Sequence, residues 1–277
     1  MANDPYREFR QAVVRPEEQI DLGRAALAIA LPEYPGLDFA ALLGRISDLA
    51  REVAESAGAN TDAFRTIAAL NFVLFQRHGF RGNRDDYYDP KNSFLNEVME
   101  RKLGIPITLS VLYMEVAARV GLTVHGVGFP GHFMVKTEAG GNEVVIDPFN
   151  SGDIKTKEDL TALLQRHYGG QLSFRAEFLA PVSKQQILKR MLANLKVIYA
   201  KSNDPVKTLG TLDRLLILDP TSADDIRDRA VIYSRLECYG QAKEDFQRYL
   251  ELAPDAADAP AIRDQLAALA KRVVLMH

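Results

Sequence analysis

The chain has 277 residues, 47% of them hydrophobic and 26% charged, with a formal net charge of −3. That is length for one large domain or two modest ones, and a balance that excludes an electrostatic grip on nucleic acid or on acidic lipid. The longest apolar runs, such as Ala26–Pro32, are too short to cross a bilayer, so neither nucleic acid nor membrane is an expected partner. The opening stretch, MANDPYREFR, lacks the apolar core of a signal peptide. The single cysteine, Cys238, excludes an intramolecular disulfide, and together these features predict a cytoplasmic protein.

Residues 1–80 read as helical. Asp38 caps a helix with Phe39, Leu42, Leu43, Ile46, Leu49 and Val53 on a 3.6-residue rhythm, and Thr61 caps the next. RHGFRGNRDDYYDPKNS (77–93) is turn-rich and reads as a loop covering whatever lies beneath it. Its acids Asp85, Asp86 and Asp89 lack the spacing of a calcium loop. Phe94 to Lys102 forms a short helix capped by Ser93 or Asn92, with Glu97 and Arg101 spaced for a surface ion pair.

A helix follows Gly104. Pro106 suits its first position, where a missing N–H costs nothing, and Gly121 suits its stop. Ile105, Leu109, Leu112 and Val116 make one apolar row and Ile107, Val111, Met114 and Ala118 a second, so this helix is predicted to lie inside a domain. Strands are expected over Thr123–Phe129, His132–Thr137 and Glu143–Ile146, the last two joined by a turn at Ala139-Gly140-Gly141-Asn142. A helix is expected from Asp159 to Tyr168. His132 opens one strand and Asp147 closes the next, so an antiparallel pairing lets them meet. A thiol hydrolase places a nucleophile at a helix start, a histidine on a facing strand and a carboxylate beyond it. Here the helix start holds Pro106.

From about residue 183 the chain is helical again. RLLILDPTSAD (214–224) aligns with RYLELAPDAAD (248–258) at an offset of 34 residues. Between them Ala230, Tyr233, Leu236, Tyr239, Ala242, Phe246 and Leu250 read as a helix–turn–helix with Gly240 at the turn. A period of this length in helical hairpins resembles the tetratricopeptide repeat.

The strings HFMVK and VVIDPF resemble the transglutaminase-like core. With YYDPKNSFLNEVMERKLGIPITLSVLYMEVAARVGL, GFPGHFMVK and IDPFNSG, the chain more closely resembles the bacterial SirB-type family, which joins such a core to C-terminal tetratricopeptide repeats. The resemblance implies an α+β fold: a helical N-terminal region and a transglutaminase-like (papain-like) core with a small antiparallel sheet over 1–180, then an all-α repeat module over 181–277. It puts the superfamily's histidine at His132, its aspartate at Asp147 and its cysteine at Pro106, in a branch described as lacking that cysteine. Met134 stands where catalytic branches place a tryptophan.

Two functions follow as expectations. The first is a non-catalytic protein, a pseudoenzyme, that binds a protein or peptide partner through its C-terminal repeats. The second is a hydrolase, peptidase or acyl-transferase using His132 and Asp147 with another nucleophile. Ser110 is the candidate there, one turn past Pro106 and about 6 Å deeper along the axis, with Thr108 behind it. No cofactor is expected. His78, His125 and His132 lack metal-ligand spacing, and His167 and His277 read as surface residues. Cys238 reads as a small buried apolar side chain.

Overall fold

The computed structural model describes residues 4–59 and 61–275. The chain divides into two compact units, Met1–Met191 and Leu192–His277.

The first unit is α+β. Helices α1 (Arg7–Val13), α2 (Leu22–Ala30), α3 (Phe39–Ala57) and α4 (Ala63–Asn71) come first. Asp38 caps α3 by accepting the Ala41 N–H. At α4 the cap is Asp62 rather than Thr61: its carboxylate accepts the Arg65 N–H. Strand β1 (Arg81–Gly82) pairs in parallel with β2 (Leu103–Gly104), flanking α5 (Leu95–Arg101). Asn92 and Ser93 do not cap α5, whose first residue follows Phe94 without any side-chain cap. Asn92 instead donates to the carbonyls of Asp86 (2.7 Å) and Tyr87 (3.3 Å) and accepts from Asn83 (3.1 Å), tying down the 83–89 loop. Arg101 pairs with Asp89 at 2.8 Å, not with Glu97.

Helix α6 (Pro106–Arg119) is the spine of this unit. Ten of its residues are buried, among them Val111, Leu112, Tyr113 and Val116. Burial of each large apolar side chain contributes about 1.5–3 kcal/mol. Past its C-terminus, Gly121 N–H donates to Ala118 O (3.2 Å) and Leu122 N–H to Ala117 O (3.0 Å). That is a Schellman stop, with the glycine at φ +80° supplying the left-handed residue.

The sheet has the order β3-β4-β5-β6, all antiparallel: β3 (His125–Val127), β4 (Met134–Ala139), β5 (Asn142–Asp147) and β6 (Asp153–Lys155). The β4–β5 register, Val135 opposite Ile146 and Ala139 opposite Asn142, leaves Gly140 and Gly141 as a two-residue turn. Both have positive φ, 58° and 77°, which glycine accepts without strain. Helix α7 (Lys157–Tyr168) is capped by Thr156 and packs Leu160 and Leu164 onto Val127, Met134 and Val145.

Helix α8 (Lys184–Lys201) contains the unit boundary. The second unit continues with α9 (Pro205–Leu218), α10 (Ala223–Arg235), α11 (Tyr239–Leu252) and α12 (Ala259–Leu275). Ile226, Ala230, Ala242, Phe246, Tyr249, Ile262 and Leu269 form its core. The α10–α11 turn is not at Gly240, which lies inside α11; it is made at Glu237, a non-glycine residue with φ +59°. Among the described residues no helix is long and apolar enough to cross a membrane.

Candidate functional site

Three short stretches of the first unit converge on one cleft of about 530 Å³, lined among others by Pro106, His132, Asp147 and Phe149. Pro106 arrives as the first residue of α6. His132 does not open β4, as its alternation suggests, but precedes it by two residues. It is set by the turn Phe129-Pro130-Gly131-His132, closed by a 3.0 Å bond from His132 N–H to Phe129 O. Proline then glycine, with Gly131 at φ +71°, is the pair a type II turn requires. Asp147 ends β5 and leads the turn through Pro148 to Asn150.

The two side chains meet. His132 Nε2 lies 3.0 Å from Asp147 Oδ1. His132 is 9% exposed and Asp147 1%. Asn150 donates its backbone N–H to Oδ1 (3.3 Å) and its amide to Oδ2 (2.6 Å), and Lys155 Nζ stands 3.9 Å from Oδ2. Burial by itself would raise the Asp147 carboxyl. The hydrogen bond and charge of His132, with Asn150 and Lys155, outweigh it and hold the group below the usual carboxylate range. An ionised carboxylate only accepts, so Nε2 carries the proton of the shared bond. In the neutral ring Nδ1 then keeps a lone pair, and it has no hydrogen-bond partner among the described residues.

Ser110 is not brought to His132. It is 0% exposed, is absent from the cleft wall, and its Oγ is buried without a partner. Thr108 is also sealed in: its hydroxyl sits 2.7 Å from Asn92 O, its donor direction, and accepts the Ile105 N–H at 3.1 Å. Cys238 belongs to the second unit, half-buried, with Sγ 3.6 Å from Leu236 O. His78 bonds Glu52 and His125 is exposed. His167 is exposed as expected and also lines the cleft. His277 lies outside the described residues.

Sequence reasoning missed four residues of the site. Asn150 and Lys155 support Asp147. Arg190 of α8 donates to His132 O at 2.7 Å, with its guanidinium 5.4 Å from the centre of the Phe133 ring. Gly82 matters through absence: a Cβ there would lie 2.5 Å from the Phe149 ring, so only glycine lets that ring sit where it does. Only Asn150 had a local signal, because Asp-Pro-x-Asn is a turn string.

Residues 40–193 match the Transglutaminase-like superfamily. The chain belongs to that superfamily. In the transglutaminase-like cleft, then, the helix start that faces the histidine and aspartate carries a proline. Residues 195–267 match the Tetratricopeptide repeat. A UPF0162 protein of Xylella fastidiosa (strain 9a5c) is 37% identical over 268 residues, 94% of each chain. One of Vibrio cholerae is 31% identical over 198 residues, 71% of this chain and 73% of its own. F-box only protein 21 of Mus musculus is 32% identical over 139 residues, 47% of this chain but 21% of that protein. The transglutaminase-like chain is thus similar along nearly its whole length to bacterial proteins, and over part of it to a segment of a longer mammalian one.

Proposed function

We propose that this is a non-catalytic transglutaminase-like protein of the SirB-type, cysteine-less branch, acting in the cytoplasm by holding a protein or peptide partner. The reading divides the labour between a cleft in 1–180 and the helical repeats of 181–277. The observation that carries it is Pro106: a residue with no nucleophilic atom stands at the helix start on the cleft wall, and among the described residues His132 hydrogen-bonds through its ring only to Asp147. A base without a nucleophile in reach does not make a covalent intermediate. The repeats support the partner-binding half, since helical hairpin stacks present broad surfaces for protein segments.

One observation favours a second reading, a hydrolase or acyl-transferase. Nδ1 of His132 is unoccupied and Asp147 is held anionic, so the pair is prepared to take a proton from a hydroxyl or water that enters the cleft. Fluorophosphonate labelling and a broad peptidase screen on the purified chain separate the two. The expected result is no labelling and no turnover, with the same partner profile for wild type and a folded His132→Ala variant. Labelling that vanishes in Ser110→Ala or His132→Ala but survives in Thr108→Ala would establish the second reading instead.

A further inference from the structure

The cleft does not end at His132. A second hollow of about 490 Å³, reaching Arg81, Asp85 and Ser151, shares Arg84, Phe149, Asn150 and Asp153 with the first. The two are lobes of one groove that crosses the Phe149 ring. Three guanidinium groups line it: Arg81 in the outer lobe, Arg84 where the lobes join, and Arg166 in the His132 lobe. None of the three has a carboxylate partner among the described residues. The Arg84 guanidinium lies 5.2 Å from the centre of the Phe149 ring and is bonded to the Asn150 amide oxygen, both neutral groups.

The acids of the groove are mostly taken. Asp147 is bound by His132 and Asn150, Asp153 by Lys155 at 3.4 Å, and Asp159 by the N–H and hydroxyl of Thr156. Asp85 and Asp159 form no ion pair among the described residues. The lining balances four carboxylates against Lys155 and three arginines, and among the described residues those three guanidinium groups are without an ion-pair partner. Guanidinium groups bind carboxylates bidentately, and an unpaired one beside an aromatic floor is already partly desolvated for that contact.

The groove also runs beside an open sheet edge. Among the described residues strand β6 pairs only with β5, and its Asp153 and Lys155 line the groove. An edge strand offers main-chain donors and acceptors to an extended polypeptide. A nucleic acid strand has no main chain to match that edge.

We infer that the groove across Phe149 receives an extended acidic polypeptide segment, its carboxylates facing Arg81, Arg84 and Arg166 and its backbone lying along β6. This deepens the reading of the cleft as a binding surface and rests on it.

The test uses the full chain and a fluorescein-labelled octapeptide with alternating glutamates, followed by anisotropy. Its controls are the same peptide with glutamines and an oligothymidylate of equal charge. The glutamate peptide should bind, weaken as salt rises, and weaken by about fivefold in Arg81→Gln/Arg166→Gln, whose side chains are exposed and unpaired. Arg84→Gln should weaken it further, with circular dichroism confirming the fold. Equal binding of the glutamine peptide, no binding at millimolar concentration, or unchanged affinity in the arginine variants would overturn the inference. So would tighter, arginine-dependent binding of the oligothymidylate. Mass spectrometry of the peptide after incubation tells the two readings apart: arginine-dependent binding with cleavage upholds the acidic segment and overturns the non-catalytic reading.

Discussion

Each unit contains a buried carboxylate bonded to a basic side chain, and the two are built to different ends. Asp245, in the second unit, gives both oxygens to Arg229: Nε to Oδ2 at 2.7 Å and Nη2 to Oδ1 at 2.8 Å. Arg229 uses Nη1 on Asp213 at 2.9 Å, joining α9, α10 and α11. That fork is closed, and its product is a stiff repeat. Asp147, in the first unit, is saturated on the protein side, yet the imidazole it orients keeps Nδ1 unoccupied in a cleft. A network with one unused atom at a concave surface is how a site is organised; a network with none is how a scaffold is organised.

Asp147→Ala should have the largest effect, about 3 kcal/mol in urea denaturation, because it strands the His132 N–H and the Asn150 amide inside the protein. A loss under about 1 kcal/mol would mean that the pair is not the hub of its corner. Arg229→Ala should cost about 2 kcal/mol by leaving Asp213 and Asp245 face to face. Faster amide exchange should stay within the second unit. Spread into the cleft would contradict the separation of roles.

Acid should act on the two units with opposite sign. The Asp147 carboxyl sits below its ordinary value, so its stabilisation is present above about pH 3.9 and is lost as pH falls through the folded value. For Asp213, burial leads and the charge of Asp245 adds, and together they outweigh Arg229 and raise the group. Its contribution is present below about pH 3.9 and is lost as pH climbs through the raised value. Amide exchange between pH 3 and 6 should therefore show the Asp147 corner loosening first on acidification. Asp147→Asn should flatten that response and Asp213→Asn the opposite one; parallel loss in both units would refute the assignment. The smallest effect on stability, within about 1 kcal/mol, is expected for Pro106→Cys. The new thiol would stand at a helix N-terminus on the wall it shares with His132, which favours the thiolate. Iodoacetamide at pH 6 should modify it faster than Cys238, and equal rates would show that the histidine is no longer placed to serve that position.

Much of this was legible in the sequence because glycine and proline mark backbone geometry directly. Pro106 and Gly121 bracket α6, and Gly140-Gly141 makes the hairpin that returns the chain toward Asp147. The α+β class was what the resemblance of HFMVK and VVIDPF implied, and the 34-residue repeat followed from periodicity. What was hidden had no period to read. β1, β2 and β6 are two or three residues long, below any alternation signal. The α10–α11 turn went to Glu237, which carries a left-handed φ without being glycine, while the visible glycine three residues on is helical. Arg190 acts on a carbonyl 58 residues away that tertiary packing brings to it, and spacing along the chain does not encode such a contact.

Gly82 gives the groove a dimension controlled by a single missing carbon. The Phe149 ring, floor of both lobes, occupies the space where any other residue at 82 would put its Cβ. A methyl introduced there acts as a wedge under the ring and must displace it, together with the Arg84 guanidinium that lies over it and bonds Asn150. The width of the groove is thus adjustable from beneath, by one uncharged atom on a two-residue strand, with every polar group of the site left in the sequence.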